Sequence, residues 1–236
     1  MKRIISIIGL SGAMALLAQC GLERSLVVWS APGYSSSTEF STQADHEDDA
    51  DRLFLGYELY YKIGFDINDF DSENITDVNQ LALNGYRRLH FADDKFGEAY
   101  RQFPLYLTDG IGEGAPTYVI LIDYLTDISS VVIKDEASIY HTYEIRRDVY
   151  YGEEYPETKR YQYKKFSEFY NGDSDISDQT FFDGKIEDQS YPVWINIYVY
   201  AYGQSINSAT LLRDINSAPT RLGPTQVSIV YASGLD

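Results

Sequence analysis

Two groups of acidic residues are the first candidates for chemistry in this sequence. The first group supplies carboxylate and amide oxygens from Asp66, Asn68, Asp69, Asp71 and Glu73. Ca²⁺ prefers such ligands, but an EF-hand loop that starts at Asp69 would need glycine and glutamate where the chain has Asn74 and Gln80. The second group contains Asp173, Asp175 and Asp178. Because aspartate favours turns, we interpret both groups as solvated loops and predict no metal site.

The histidines and serines lack a recognisable catalytic arrangement. The three histidines are His46, His90 and His141. None of them stands in the His-Glu-x-x-His pattern of zinc hydrolases. His90 precedes Asp93 and Asp94 and could form an acid–base pair, although a structural histidine is the simpler interpretation. The Gly-x-Ser-x-Gly motif of serine nucleophiles is also missing. We therefore predict no catalytic residue and no cofactor.

Aromatic residues on one face of a predicted strand are the best candidates for binding. In Val193 to Gly203, small and branched apolar residues alternate with larger side chains, so one face is expected to enter the core. The other face carries Trp194, Tyr198, Tyr200 and Tyr202. Tyrosine and tryptophan can stack on sugar rings or be buried in a protein interface. The remaining possibility is that another part of the same chain covers them.

Composition and periodicity predict that β-strands position these residues. The chain has 22 tyrosines and 11 phenylalanines, and aromatic side chains suit a pleated, half-buried surface. The clearest strand is Leu53 to Ile63, with Tyr57, Leu59 and Tyr61 on the buried face together with Ile63. The other predicted strands cover residues 26–29, 118–125, 130–134, 138–151, 193–203 and 225–231.

Three segments are predicted to depart from this pattern. Residues 35–51 are rich in serine, threonine and acidic residues, which indicates a solvated loop. Thr76 is expected to cap a short helix that runs to Leu83 and ends at Gly85. Residues 159–170 mix two periodicities, and we predict a strand followed by a short helix.

Two stretches resemble a fibronectin type III sandwich. The first is Val27 to Pro32 followed by Gly56 to Tyr61, which resembles the second and third strands of that family. The second is Ile195 to Ala201, which runs into Gly203-Gln204-Ser205 and is followed by Ala218-Pro219, similar to the sixth strand and the turn beyond it. The resemblance implies that Trp29 and the inward tyrosines fill a core between two sheets.

The predicted fold class is therefore all-β. We expect a fibronectin type III-like or immunoglobulin-like sandwich over residues 26–236, elaborated by a large β-rich insertion at about residues 64–192. Two separate small β domains are the alternative.

The N-terminus is typical of an export signal. Lys2 and Arg3 precede an apolar run from Ile4 to Ala18, which is shorter than the roughly 20 residues that a membrane-spanning helix needs. Leu17-Ala18-Gln19-Cys20 resembles the lipobox of bacterial lipoproteins, in the relaxed form of spirochaetal examples. The resemblance implies that residues 1–19 are removed, that Cys20 is lipidated, and that residues 20–25 form a lipid-anchored linker. An ordinary signal peptide with an incidental cysteine is the alternative.

Cysteine content and charge narrow the function further. Cys20 is the only cysteine, so the chain cannot form an internal disulfide. Gly21, where an aspartate would retain a lipoprotein in the inner membrane, resembles the pattern of lipoproteins sent to the outer membrane, with either face possible.

Without residues 1–19 the chain has 36 acidic and 17 basic residues, a formal charge of −19. Such a chain is repelled by phosphate backbones, so nucleic-acid binding is excluded.

These observations predict a lipid-anchored envelope lipoprotein that is not an enzyme. Its expected partners are the membrane, through the N-terminal lipid, and a protein that it binds or scaffolds. The alternative is a carboxylate-based hydrolase that acts on envelope glycans, because glycoside hydrolysis needs only two suitably placed carboxylates. A purely structural lipoprotein is a third possibility.

Overall fold

The computed structural model describes residues 29–42, 52–92, 105–106, 118–124, 129–135, 138–150, 161–169, 173, 175, 179–205 and 213–232. The predicted signal peptide, Cys20, the linker and most of the predicted strand at residues 26–29 lie outside these residues. Within the described part of the chain, no helix is long and apolar enough to cross a membrane.

Strands dominate the described residues. They are β1 (Gly33–Ser36), β2 (Glu39–Ser41), β3 (Arg52–Gly64), β4 (Arg87–Arg88), β5 (His90–Ala92), β6 (Leu105–Tyr106), β7 (Tyr118–Tyr124), β8 (Ser129–Asp135), β9 (Ser138–Tyr150), β10 (Tyr161–Lys165), β11 (Glu168–Phe169), β12 (Ser190–Ser205), β13 (Arg213–Asn216) and β14 (Thr220–Tyr231). The helices are α1 (Asn79–Leu83) and two 3₁₀ turns, Ile67–Phe70 and Gln179–Phe182.

These strands form two sheets. The first sheet has the order β1-β2-β7-β8-β9-β10, with β5 also paired to β9. The second has the order β11-β14-β12-β3-β4, with β13 beside β12 and β6 beside β3. Neighbouring strands are antiparallel except for β11, which runs parallel to β14. The predicted all-β sandwich is confirmed, and residues 64–192 supply β5 and β7 to β10 of the first sheet.

The core lies between the two sheets because both long strands of the second sheet alternate as the sequence predicts. Tyr57, Leu59 and Tyr61 of β3 are buried on the inner face. On β12, Ile197 stands opposite Tyr61 and Val199 opposite Leu59, and both are fully buried. From the first sheet, the inward residues of the same cluster are Phe40, Ile120, Ile122, Val131, Ile133, Tyr143 and Ile145.

The chain changes sheets at Leu89, and this crossing sets the directions of two arginines. Arg87 and Arg88 form β4 in the second sheet, whereas β5 belongs to the first sheet. Leu89 is fully buried between them, and its N–H donates to the carbonyl of Leu59 at 2.8 Å. Because successive strand residues point to opposite faces, Arg87 turns inward and Arg88 turns outward.

The predicted loop at residues 35–51 and the predicted helix within residues 159–170 are wrong. The predicted solvated loop at residues 35–51 contains, in its described part, the end of β1 and all of β2. Phe40 of β2 is fully buried against Tyr57, with ring centroids 5.2 Å apart, and β2 pairs with β7, so the serine-rich hairpin belongs to the first sheet. In residues 159–170, the predicted short helix is replaced by β11, because Glu168 and Phe169 find a strand partner in β14.

Residues 66–86, here called the strap, lie against the outer face of the second sheet. The strap contains the 3₁₀ turn Ile67–Phe70 and α1. The helix is present as predicted and is followed by Gly85, which has a φ of 81°. The predicted cap at Thr76 is wrong, because Val78 occupies the N-cap position and no side chain caps the helix there.

Candidate functional site

The strap covers the middle of the predicted aromatic face. Tyr198 and Tyr200 are buried in a cluster with Ile75, Leu81 and Tyr86 of the strap. Tyr202 packs against this cluster from its edge and is half-buried. Trp194 is half-buried and does not belong to the cluster. The structure therefore brings three of the four predicted residues together, with part of the chain itself lying over two of them.

Beside Tyr200, the same face of the sheet holds a buried carboxylate. Glu58 stands opposite Tyr200 in the β3–β12 register and accepts a hydrogen bond from the Tyr200 hydroxyl. Arg88 Nη2 lies 3.1 Å from a carboxylate oxygen of Glu58. Arg88 also donates from Nε and Nη2 to the Tyr60 hydroxyl, at 3.2 Å and 3.1 Å. These four side chains form the outer cluster.

Burial and the charge of Glu58 together shift the pKa values of Tyr200 and Arg88 in the outer cluster. Burial, and then the charge of Glu58, raise the pKa of Tyr200, so the hydroxyl keeps its proton and donates it. Burial works against the charge of Arg88, but Glu58 and Tyr60 raise the pKa of its guanidinium overall. The outer cluster is thus an ion pair with a neutral tyrosine donor.

A second network fastens the strap to the sheet. Glu73 of the strap accepts from Lys62 Nζ and from the Tyr86 hydroxyl. Asn196 Nδ2 donates to the same hydroxyl, and Arg221 Nε donates to Asn196 Oδ1 at 3.2 Å. Burial, and then Glu73, raise the pKa of Tyr86, which therefore remains a donor.

Arg221 also binds the backbone of the strap. Its Nη2 donates to the carbonyl of Phe70 at 3.0 Å and its Nη1 to the carbonyl of Glu73 at 3.3 Å. Side chains from β3, β12 and β14 therefore each bind the strap.

A third cluster, the inner cluster, lies between the sheets around Arg147 of β9. Arg147 Nη2 is 3.0 Å from Asp173, and its Nη1 is 2.6 Å from Asp175. The guanidinium carbon sits 3.7 Å from the centroid of the Phe169 ring. Asp175 also accepts from the Tyr61 hydroxyl, and its other oxygen is 2.7 Å from Arg87 Nη1. Four segments of the chain are joined by this cluster.

The interpretation of Asp173 and Asp175 as residues of a solvated loop is wrong. Both carboxylates are buried, because Arg147 and Arg87 supply compensating charge. Burial raises the pKa of Asp173, while Arg147 opposes this effect. One signal in the sequence points to this cluster. Tyr143, Ile145 and Arg147 occupy alternate positions of one strand, so the arginine follows two buried residues into the core.

The first acidic group behaves as a capped surface turn. Asp66 accepts from the N–H of Asn68 at 3.0 Å, and Asp69 accepts from the N–H groups of Phe65 and Asp66 at 2.9 Å and 3.0 Å. Among the described residues, no group of three or more histidine, cysteine, aspartate or glutamate side chains could hold a metal ion. His90 is buried in β5. Its candidate partners Asp93 and Asp94, like His46 and Asp178, lie outside the described residues.

Comparisons with models of known protein families, with curated proteins and with solved structures found no match to this chain.

Proposed function

We propose that this chain is a lipid-anchored lipoprotein of the bacterial outer membrane that binds or scaffolds a protein partner and catalyses no reaction. The anchor rests on the sequence from Lys2 to Cys20. The opening basic residues, the short apolar run and the lipobox-like residues before a single cysteine favour lipidation over a membrane-spanning helix.

One observation carries the proposal that the protein is a scaffold. The carboxylates of Glu58, Asp173 and Asp175 are each held by an arginine, and Glu73 is held by a lysine and a tyrosine. An acid–base pair needs carboxylates that can reach a substrate and exchange protons. Asp175 instead joins Arg147 of the first sheet to Tyr61 and Arg87 of the second. Glu73 joins the strap to the second sheet, and Glu58 joins neighbouring strands within that sheet.

The strand order supports the resemblance to fibronectin type III and immunoglobulin sandwiches. In such domains the third, sixth and seventh strands share one sheet. Here β3, which resembles the third strand, pairs with β12, which resembles the sixth, and β14 follows on the other side of β12. Sandwiches of this kind recur in cell-surface proteins that bind other proteins.

The anchor is tested by feeding a palmitate analogue to cells that express either the native chain or Cys20→Ala. We expect label on the native chain only, together with recovery of that chain in the membrane fraction. Unlabelled, soluble native protein would contradict the anchor. Surface proteolysis of the same cells assigns the membrane face.

Chemical cross-linking in the same cells tests the binding role, and we expect it to couple the native chain to another envelope protein. The competing hydrolase is tested with purified envelope glycans, the native chain and Glu58→Gln. We expect no soluble products from either. Release of sugars by the native chain that Glu58→Gln abolishes would overturn the non-enzymatic proposal.

A further inference from the structure

We infer that one end of the second sheet is the docking surface for a basic protein segment that carries apolar side chains. This inference rests on the proposed function. The surface, here called the apex, consists of residues 65–71 and 181–188. The two segments touch through Phe65 and Phe181, whose rings are stacked with centroids 4.1 Å apart.

The apex lies at the opposite end of the second sheet from the point where the described chain begins. Trp29, nine residues after Cys20, packs edge-on against Phe54 near the start of β3. The apex follows Gly64, at the other end of the same strand. Ten residues of strand separate Phe54 from Gly64, a distance of roughly 33 Å at the usual rise per residue. Trp29 and the apex therefore lie at opposite ends of the second sheet.

Two isoleucines are exposed at the apex on a tightly held backbone. The exposed fraction of Ile67 is 40% and that of Ile186 is 61%. Ile67 begins a 3₁₀ turn that is capped at both Asp66 and Asp69. The Tyr191 hydroxyl holds Ile186 at both backbone groups, since it accepts from the N–H at 2.7 Å and donates to the carbonyl at 3.2 Å. Exposed apolar side chains on a fixed backbone lose little freedom when a partner binds.

Charge decides which partner fits. The same two segments carry six exposed acidic residues: Asp66, Asp69, Asp71, Asp183, Glu187 and Asp188. Lys185 is the only basic residue of the two segments. Its ammonium lies 4.0 Å from the centroid of the Phe181 ring and donates to the Phe181 carbonyl. The lysine side chain therefore contacts a residue of the apex. A complementary partner therefore combines basic residues with apolar ones, and an acidic or purely polar partner is repelled or gains little.

The test uses the full lipidated chain in nanodiscs of zwitterionic lipid, with binding to empty nanodiscs subtracted. One probe is a peptide of alternating lysine and leucine that carries a photo-crosslinking group. The second probe has the same charge but alternates lysine and serine. For the native chain we expect the lysine–leucine peptide to bind at least about tenfold more tightly, with cross-links confined to residues 65–71 and 181–188.

The discriminating variant is Ile67→Ser with Ile186→Ser, which preserves every charge. We expect it to lower the affinity for the lysine–leucine peptide at least about tenfold and to leave the lysine–serine peptide unaffected. Leu83→Ser is the matched control, because Leu83 is 86% exposed but lies outside the apex. Replacing both isoleucines by leucine should retain binding, which separates lost contact from local misfolding.

Three results would overturn the apex as a docking surface: equal affinity of the native chain for the two peptides, equal losses in Leu83→Ser and the double serine variant, or cross-links outside the apex. Any of these would leave the proposed function standing if cellular cross-linking still finds a protein partner. Conversely, a chain that lacks the palmitate label but binds the lysine–leucine peptide at the apex would contradict the anchor alone.

Discussion

The same three kinds of side chain meet on both faces of the second sheet. The inner cluster joins Arg147, Asp175 and Tyr61 between the sheets. The outer cluster joins Arg88, Glu58 and Tyr200 on the opposite face. The two differ in access to water, since the Arg147 side chain is 0% exposed and the Arg88 side chain is 40% exposed.

This difference in access changes what each arginine does for folding. Water can solvate Glu58 in part if Arg88 is removed, because Arg88 forms the exposed rim of its cluster. Asp173 has no such replacement and Asp175 would keep only Arg87, so removing Arg147 leaves uncompensated negative charge in a buried site, where it is strongly unfavourable. We therefore expect the inner cluster to act as a single unit and the outer cluster to act as a weak, separable contact.

Replacing Arg147 should have the largest effect on stability. Arg147→Met leaves the buried carboxylate of Asp173 without a cation and that of Asp175 with Arg87 alone, so we expect the free energy of unfolding to fall by about 3–5 kcal/mol. Urea unfolding followed by tyrosine and tryptophan fluorescence measures this change. Adding Asp173→Asn and Asp175→Asn to Arg147→Met should restore part of the loss, because the triple variant has no unpaired buried charge. A loss below about 1 kcal/mol in Arg147→Met would show that water reaches the site.

The contrast between the clusters also marks the limit of what the sequence could predict. Strict alternation in β3 and β12 revealed their buried faces, because each long strand borders one apolar core. The position of Arg147 in β9 could have revealed a buried charge, but not which of 36 acidic residues would pair with it. Asp173 and Asp175 are 26 and 28 residues away along the chain, and only the packing of β11 against β14 brings them there.

The aromatic face shows the same limit. Alternation placed Tyr198, Tyr200 and Tyr202 on one side of β12, as the structure has them. The strap covers these tyrosines through Leu81 and Tyr86, which come from a short helix and a turn. The acidic segment that contains them has no clear apolar periodicity of its own. A covering element that is held largely by polar contacts leaves no periodic pattern in the sequence.

The strap should open more easily than the sheet beneath it. Arg221→Met removes hydrogen bonds to Phe70, Glu73 and Asn196, and we expect a loss of about 1–3 kcal/mol in the stability of the strap. Hydrogen exchange measures this locally, with faster exchange expected at residues 67–83 and unchanged exchange at the inner residues of β3 and β12. Equal acceleration in strap and sheet would mean that the strap unfolds only with the whole domain.

High pH should destabilise both faces of the second sheet. Burial raises the pKa of Tyr61, Tyr86, Tyr124, Tyr198 and Tyr200. Tyrosines in the unfolded chain titrate near pH 10, so above about pH 10 the unfolded state loses protons that the folded state keeps. The contribution of these tyrosines to the free energy of unfolding should therefore be constant below about pH 10. It should fall as the pH rises above that value.

Tyr61→Phe and Tyr86→Phe should each make this fall less steep, one through the inner cluster and one through the strap. Urea unfolding at a series of pH values from 8 to 11 would measure the slopes, and phenolate absorbance would count the tyrosines that ionise before unfolding. Titration of every tyrosine near pH 10 in the folded chain would contradict buried, hydrogen-bonded hydroxyls at these positions.

Replacing Arg88 should have the smallest effect and completes the comparison with Arg147. Arg88→Met removes one ion pair and the hydrogen bonds to Tyr60, but Glu58 keeps its hydrogen bond from Tyr200 and gains access to water. We expect the free energy of unfolding to fall by less than about 1 kcal/mol, since partly exposed ion pairs contribute little. The same urea unfolding that tests Arg147→Met measures this change. A loss as large as that of Arg147→Met would mean that Glu58 is as poorly solvated as Asp175, and that arginine exposure does not distinguish the two clusters.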